Sequence, residues 1–410
     1  MRSLRLNDLV SGLAILAVAG CAGTAPPRNV EPVSRGLGYQ AQYRDLPARS
    51  PDPLVLRARE MNAARCRPPL GGAVAGDAMG KGAGLDIAAL RGEKLSRNDL
   101  LDVRIDGDET LSGSYVISRD GMLKLPYLDP IPAQGRSTDE VEADMTLALI
   151  ANGFYDSPPR LSVRVRDWAS VTVAIDGAVF EPRVSEIGGT PGDRIDTERQ
   201  LAIGASTEAR NLSAAIRSAG GIRPDADLSA VELRRGGRLY RLDLREMFHG
   251  RDPDADVMLL TGDEIRVPSR DCFQDDLMRP GPISPPGVSL YLSNLTQPAT
   301  GNAPSAIGRE VREVPYGTRM MQAVVDANCV GGARATSANR SAVLFTRNPV
   351  TGVSAVIERD IEKMLRRAER DDHDPYLLPG DAIACYDSSV TNLAEVGRVM
   401  GIMGAALLLD

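Results

Sequence analysis

Leu259-Leu260-Thr261-Gly262-Asp263-Glu264-Ile265-Arg266-Val267 and Leu377-Leu378-Pro379-Gly380-Asp381-Ala382-Ile383-Ala384-Cys385 decide the fold of this chain. Each reads as an apolar pair, a turn at Gly-Asp, and a closing strand. Working back from the first, Val231–Arg235 and Leu239–Leu242 alternate as a hairpin around Gly236-Gly237. Before that, Leu212–Ala219 has a helical period and stops at Gly220-Gly221, residues suited to a left-handed helix end. Val171–Gly177 is an opening strand. The second copy keeps this order. A strand at Val288–Leu292 precedes a helix at Met320–Ala327, which ends at Cys329-Val330-Gly331-Gly332. A hairpin of Ala342–Thr346 and Val353–Ile357 turns around Pro349–Gly352. An internal repeat of this length means two copies of one supersecondary unit. The second copy carries an added charged helix at Glu358–Glu369.

A third, different unit precedes the repeats. Leu100–Ile105, Ser114–Ile117, Met122–Tyr127 and Leu161–Val165 read as strands, with a hairpin turn expected at Asp120-Gly121. Ser137-x-x-Glu140 fits a capping box, and Val141, Met145, Leu149 and Ile150 give the following helix one buried stripe. The fold class is α+β, multidomain.

The termini read differently. Arg2 and Arg5 precede a short apolar core, Leu9–Ala19, and then Val18-Ala19-Gly20-Cys21. That core is shorter than the ~20 apolar residues a spanning helix needs, so it reads as a signal peptide. Small residues before a cysteine at its end suit lipoprotein processing, with lipid attached to Cys21; a plain signal peptide with a chance cysteine is the alternative. Residues 22–93 form a Pro/Gly-rich leader with few helix or strand signals. At the other end, Val390–Leu409 is Pro-free and ends in an apolar run. Gly397, Gly401 and Ala405 recur every four residues, and Met400, Met403 and Leu408 belong to the same helix. It spans a bilayer, or it docks on its own domain or at the membrane interface.

Composition narrows the function classes. Lys+Arg number 48 against 55 Asp+Glu, a net charge of −7, and no basic stretch marks a nucleic-acid surface. Four cysteines follow Cys21 and include no C-x-x-C pair, so no metal site is expected. Export permits disulfides. The positions of the first repeat that match Cys329 and Cys385, near Ala219 and Val267, should lie close, which makes Cys329–Cys385 a candidate disulfide and leaves Cys66–Cys272 as the residual pair. No catalytic constellation is found. Asp106, Asp108 and Glu109 read as loop acids, and Asp371, Asp372, His373 and Asp374 as a solvated turn before Pro375. Arg217, Arg234 and Arg235 either line an anionic-glycan path or are exposed surface charges.

Three features together resemble the bacterial outer-membrane polysaccharide export lipoproteins. They are Val116-x-x-x-Asp120-Gly121 with Leu125-Pro126, the pair of strand–helix–Gly-Gly–hairpin–Gly-Asp units, and the cysteine box. The resemblance implies a signal peptide (1–20), a tether and leader (21–93) and a polysaccharide-export domain (94–168). Two soluble-ligand-binding β-grasp domains (169–270 and 286–387) and a terminal helix (389–410) would follow. It further implies a homo-oligomeric ring, the octamer being the usual form, that conducts capsular or extracellular polysaccharide across the outer membrane. An inner-membrane polysaccharide co-polymerase or chain-length/tyrosine-kinase protein would be its partner. It implies no catalysis, no nucleic-acid partner, and no cofactor beyond the lipid on Cys21. The alternative is a non-channel, lipid-anchored periplasmic glycan-binding module. The chain departs from the pattern at Arg97-Asn98-Asp99, where the family usually has Gly-Asp, in a polar insertion at Glu186–Ala209, and in a leader (34–93) that matches nothing.

Overall fold

The structure is a computed structural model and describes residues 38–43, 58–71, 87–189, 208–294, 312–327, 329–330, 340–367 and 370–386. The chain divides into two compact units, residues 65–286 and residues 1–64 together with 287–410. The leader contributes to both. Its one described α-helix, α1 (Ala58–Ala63), belongs to the second unit, and Leu90, 1% exposed, joins the core of the first.

In the first unit, β1 (Leu100–Ile105) lies between β2 (Asp108–Val116) and β5 (Leu161–Asp167), antiparallel to both. The turn that joins β1 to β2 is Asp106-Gly107, with Gly107 at φ +76°. Asp120-Gly121 also turns the chain, but not into the expected long strand. The run Met122–Tyr127 yields only the two-residue β3 (Met122–Leu123), paired with β4 (Ile131–Pro132). Pro126 has no N–H to give a ladder, and Tyr127 sits at φ +63°, which ends extended backbone there. Helix α2 (Thr138–Ala151) starts with the predicted capping box: Glu140 N–H donates to Ser137 Oγ, and Ser137 N–H donates to Glu140 Oε2. Val141, Met145 and Leu149 are fully buried against the sheet residues Leu101, Val103 and Val163 in one core.

The first repeat follows. β6 (Val171–Gly177), β7 (Arg183–Ile187), β8 (Val231–Arg235), β9 (Arg238–Leu242) and β10 (Glu264–Val267) form one sheet in the order β7-β6-β10-β8-β9. β6 and β10 are parallel, and the other neighbours are antiparallel. Helix α3 (Leu212–Ser218) packs Leu212, Ala215 and Ile216 into the core and ends at Gly220 and Gly221, φ +77° and +79°. Two elements escaped the sequence reading. Strand β7 overlaps the start of the segment taken as a polar insertion, and α4 (Arg245–Phe248) is too short for a periodic signal.

The second unit repeats the plan. Its strands are β11 (Val288–Asn294), β12 (Arg312–Val314), β13 (Ser341–Arg347), β14 (Ser354–Asp360) and β15 (Ala382–Tyr386). Their order is β12-β11-β15-β13-β14 with β11 and β15 parallel, around helix α5 (Met320–Asp326). Each sheet therefore runs second, first, fifth, third, fourth, with its first and last strands parallel at the centre, the β-grasp arrangement. The charged stretch Glu358–Glu369 is not one helix. β14 runs to Asp360, whose side chain accepts from Lys363 N–H and so starts α6 (Ile361–Arg366). Among the described residues, no helix is long and apolar enough to cross a membrane. The Val390–Leu409 segment lies outside the described residues, as does the 1–37 stretch with Cys21.

Candidate functional site

Three turns of one design start the three central strands β1, β10 and β15. Each spans four residues and ends in aspartate: Ser96–Asp99, Leu260–Asp263 and Leu378–Asp381. The third residue takes positive φ in every case: Asn98 at +69°, Gly262 at +94° and Gly380 at +88°. Asparagine tolerates that region better than other side-chain-bearing residues, so Asn98 does the work of a glycine. In each turn the aspartate N–H donates to the carbonyl three residues back, at 3.3, 3.1 and 3.1 Å. Each carboxylate in return accepts the N–H of that same residue, at 2.6, 2.8 and 2.9 Å. The three aspartates are at most 2% exposed. A buried carboxylate is costly unless compensated, and the three turns are compensated in three ways.

Asp99 is met by Arg210. Nη1 lies 2.7 Å from Oδ1, with both side chains at or below 1% exposure. Ala169 N–H also donates to Asp99. Arg210 Nε donates to the Leu259 carbonyl, and the guanidinium lies 5.0 Å from the centre of the Trp168 ring. Burial pushes the Asp99 carboxyl up, and Arg210 opposes the shift. The two turns of this unit also touch directly. Thr261 N–H donates to Ser96 Oγ, Gln134 Nε2 donates to the Thr261 carbonyl, and Met258 packs in the same core as Trp168 and Leu101. The clasp therefore ties the 95–168 domain to the first repeat as one body.

Asp263 is met by Arg235, whose Nε and Nη2 approach the two carboxylate oxygens at 3.0 and 2.6 Å. Arg235 Nη2 also donates to the Met258 carbonyl. This side chain is 14% exposed and holds the turn, so it neither lines a path nor lies free on the surface. Among the described residues Asp381 has no such cation. Thr346 donates to it, and burial, only partly opposed by that bond and Leu378 N–H, pushes it up to about 7. Register explains the difference. Arg234 pairs with Glu264 and Phe345 with Ala382, each strand residue following a Gly-Asp, so Thr346 occupies the position of Arg235.

Other residues singled out in the sequence find these places. Cys329 and Cys385 form a disulfide with Cα atoms 6.0 Å apart, linking the end of α5 to β15. Cys66 and Cys272 form a second, although their spacing gave it little support. That bridge pins the leader to the end of the first repeat, where Leu70 and Gly71 N–H groups also donate to Asp227 and Ser229. Asp371–Asp374 is not a solvated turn. Asp374 is 3% exposed and accepts Met321 N–H at the start of α5, and Asp372 accepts Ala58 N–H from α1. Burial raises Asp374 to about 6 and, with Arg359 and Arg367 adding repulsion, lowers His373 to about 3. Asp108 accepts from Thr110 and Leu111 N–H and from Tyr155 Oη, a turn and strand-end role. Among the described residues Arg217 makes no ion pair, and Arg234 lies 3.9 Å from Glu264 with both side chains about 60% exposed. Among the described residues no group of three His, Cys, Asp or Glu could hold a metal ion. Cys21, Gly397, Met400, Gly401, Met403, Ala405 and Leu408 lie outside the described residues. The functional residues that sequence reading missed are Asp99 and Arg210, separated by 111 positions, because such a pair carries no local signal.

Residues 89–166 match the family described as polysaccharide biosynthesis/export protein. Over 196 residues the chain is 31% identical to the EPS I polysaccharide export outer membrane protein EpsA of Ralstonia solanacearum, covering 46% of each chain. Over 204 residues it is 29% identical to the protein of the same name from Ralstonia nicotianae, covering 48% of each. The matched stretch thus spans about half the length of these curated relatives.

Proposed function

We propose that this chain, whose residues 89–166 match the polysaccharide biosynthesis/export family, is a subunit of an outer-membrane assembly that passes extracellular or capsular polysaccharide. The observation that carries this reading is the Asp99–Arg210–Trp168 clasp. Its Asp99 lies in the family-matching stretch 89–166, and Arg210 ties that stretch to a β-grasp repeat. A ring needs a constant angle between the parts of each subunit, since a heterologous interface closes only when its rotation divides the circle. A buried ion pair held by further hydrogen bonds and the Trp168 ring supplies a constant angle; an exposed linker would not.

In this reading lipid on Cys21 holds the N-terminus at the membrane. The Val390–Leu409 segment, with Gly397, Gly401 and Ala405 on one stripe, crosses the bilayer beside its copies. Energy and control come from an inner-membrane polysaccharide co-polymerase or kinase-type partner. Two measurements test it: the mass of the detergent-extracted particle, and surface polysaccharide after gene deletion. A ring-sized mass and loss of surface polymer are expected. A monomeric mass with surface polymer unchanged overturns the channel and favours a lipid-anchored glycan-binding module. Arg210→Ala should reduce both the extracted ring and the exported polymer by loosening the clasp.

A further inference from the structure

Helix α2 of the 95–168 domain is apolar on two sides. One side, Val141, Met145 and Leu149, is fully buried against the sheet. The other runs along Ala143, Leu147 and Ala151, spaced four apart and so neighbours on the helix surface, and all three are exposed. Leu147 is 66% exposed. The helix ends in a Schellman turn: Phe154 N–H donates to the Leu149 carbonyl, and Gly153 N–H, at φ +73°, donates to the Ile150 carbonyl. Phe154, just past that turn, is also exposed. A surface helix of a lone domain carries polar residues on its outer side, whereas one apolar all round is covered all round. The charge of α2 is one-sided as well. It holds Asp139, Glu140, Glu142 and Asp144 and no Lys or Arg. Lys94 and Arg136 meet Glu140 and Asp144. Glu142 accepts Val163 N–H, and neither it nor Asp139 forms an ion pair among the described residues.

The other layer of the domain has the opposite character. Leu101, Val103, Val163 and Val165 face the core, so Asp102, Arg104, Arg164 and Arg166 alternate onto the outer side of the sheet. Val116, opposite Leu100 on β2, is exposed on that side. Arg104 donates to Asp102 and Arg166 to the Ser114 hydroxyl, whereas Arg164 makes no ion pair among the described residues. Even with Asp167 at the bulged end of β5, bases outnumber acids there.

We propose that the outer side of α2 packs against the outer side of the β2-β1-β5 sheet of a second copy of this chain. The contact rests on the assembly reading above and names the surfaces that would build it. Helix against helix would bring no base to the acids, and sheet against sheet would oppose arginines. Helix against sheet pairs Leu147 with an apolar edge at Val116 and gives Arg164 the acid it lacks. Such a contact is heterologous, so it passes from copy to copy and closes where its rotation divides the circle. Opposite charges around an apolar contact fix its register and reject the like-charged alternatives.

The test is the mass of the detergent-extracted full chain on dilution. Leu147→Asp blocks the helix side, and Arg164→Glu with Arg166→Glu blocks the sheet side. Each should raise the concentration at which half the particle dissociates by ~10-fold or more. An equal mixture of the two should recover dimers that neither forms alone, because one keeps its sheet side and the other its helix side. Ala143→Arg serves as a second helix-side variant if Leu147→Asp does not fold by circular dichroism. A wild type of monomeric mass sinks the assembly reading, and this contact with it. A ring-sized wild type whose dissociation moves less than ~2-fold in the helix-side variants overturns this contact alone. Loss in both variants with no dimer on mixing overturns the helix-to-sheet pairing. A lower thermal midpoint with the ring intact overturns it too, since the chain's own segments then cover α2.

Discussion

The two repeats share strand order, parallel centre, helix position and Gly-Asp turn, yet they solve one electrostatic problem differently. The first repeat neutralises its turn carboxylate with Arg235 in a bidentate pair. The second places Thr346 at that position and brings Tyr43 of the leader up behind it. What this teaches is that the turn geometry is the fixed element and its charge compensation is not. A backbone N–H three residues away, with a residue at positive φ between, builds the turn; the counter-charge can come from the next strand or be replaced by a proton.

Making the first repeat resemble the second should have the largest effect. Arg235→Thr removes the cation and leaves Asp263 buried among neutral groups, without the Tyr43 hydroxyl that backs Thr346. Breaking one partner of a buried pair costs ~3–5 kcal/mol. Denaturant unfolding at pH 7.5 should show a loss of that order. An unchanged stability would mean that the Arg235 pair does not compensate the buried carboxylate.

The cores should respond alike where the compensation does not. Leu233 of β8 and Leu344 of β13 occupy matching register positions, each 0% exposed. Leu→Ala at either should cost ~2–5 kcal/mol. A difference above ~2 kcal/mol between them would show that the repeats pack differently despite a shared topology. The disulfide comes next. Cys329–Cys385 joins α5 to β15, and the first repeat does without one, using Ala219 and Val267 in the equivalent region. Cys329→Ala/Cys385→Ala should cost ~2–4 kcal/mol in the second unit alone. If unfolding of the unit is unchanged, the bridge constrains nothing that packing has not already fixed.

These contrasts also show how far the sequence carried. The repeats were legible because Gly-Asp, Gly-Gly and alternating hairpins are local patterns with fixed backbone meaning. The capping box at Ser137 was legible for the same reason. Long-range partners were not. Nothing near Asp99 announces Arg210, and nothing near Tyr43 announces Thr346, 303 positions away. The Arg97-Asn98-Asp99 departure from Gly-Asp proved to be the same turn, because asparagine enters the left-handed region that glycine usually fills. Met122–Tyr127 was overread as a strand since apolar alternation outweighed Pro126 in the pattern. The leader looked like a tether because composition alone cannot show Gln40 pairing with the distant backbone of Tyr376.

The smallest expected effect lies on the outer face of the same strands. Arg234 and Glu264 face each other across β8 and β10 at 3.9 Å, both well exposed, and the matching pair in the second repeat is Phe345 and Ala382. Water screens the ion pair, and fixing two long side chains costs rotamer freedom. A double-mutant cycle of Arg234→Ala and Glu264→Ala should therefore give a coupling below ~0.5–1 kcal/mol, weaker still at high salt. A coupling above that range would mean the face is covered in the assembled protein, where the same charges are desolvated. Repeating the cycle on detergent-extracted particles separates the cases. An exposed face keeps the weak coupling; a face buried between subunits strengthens it.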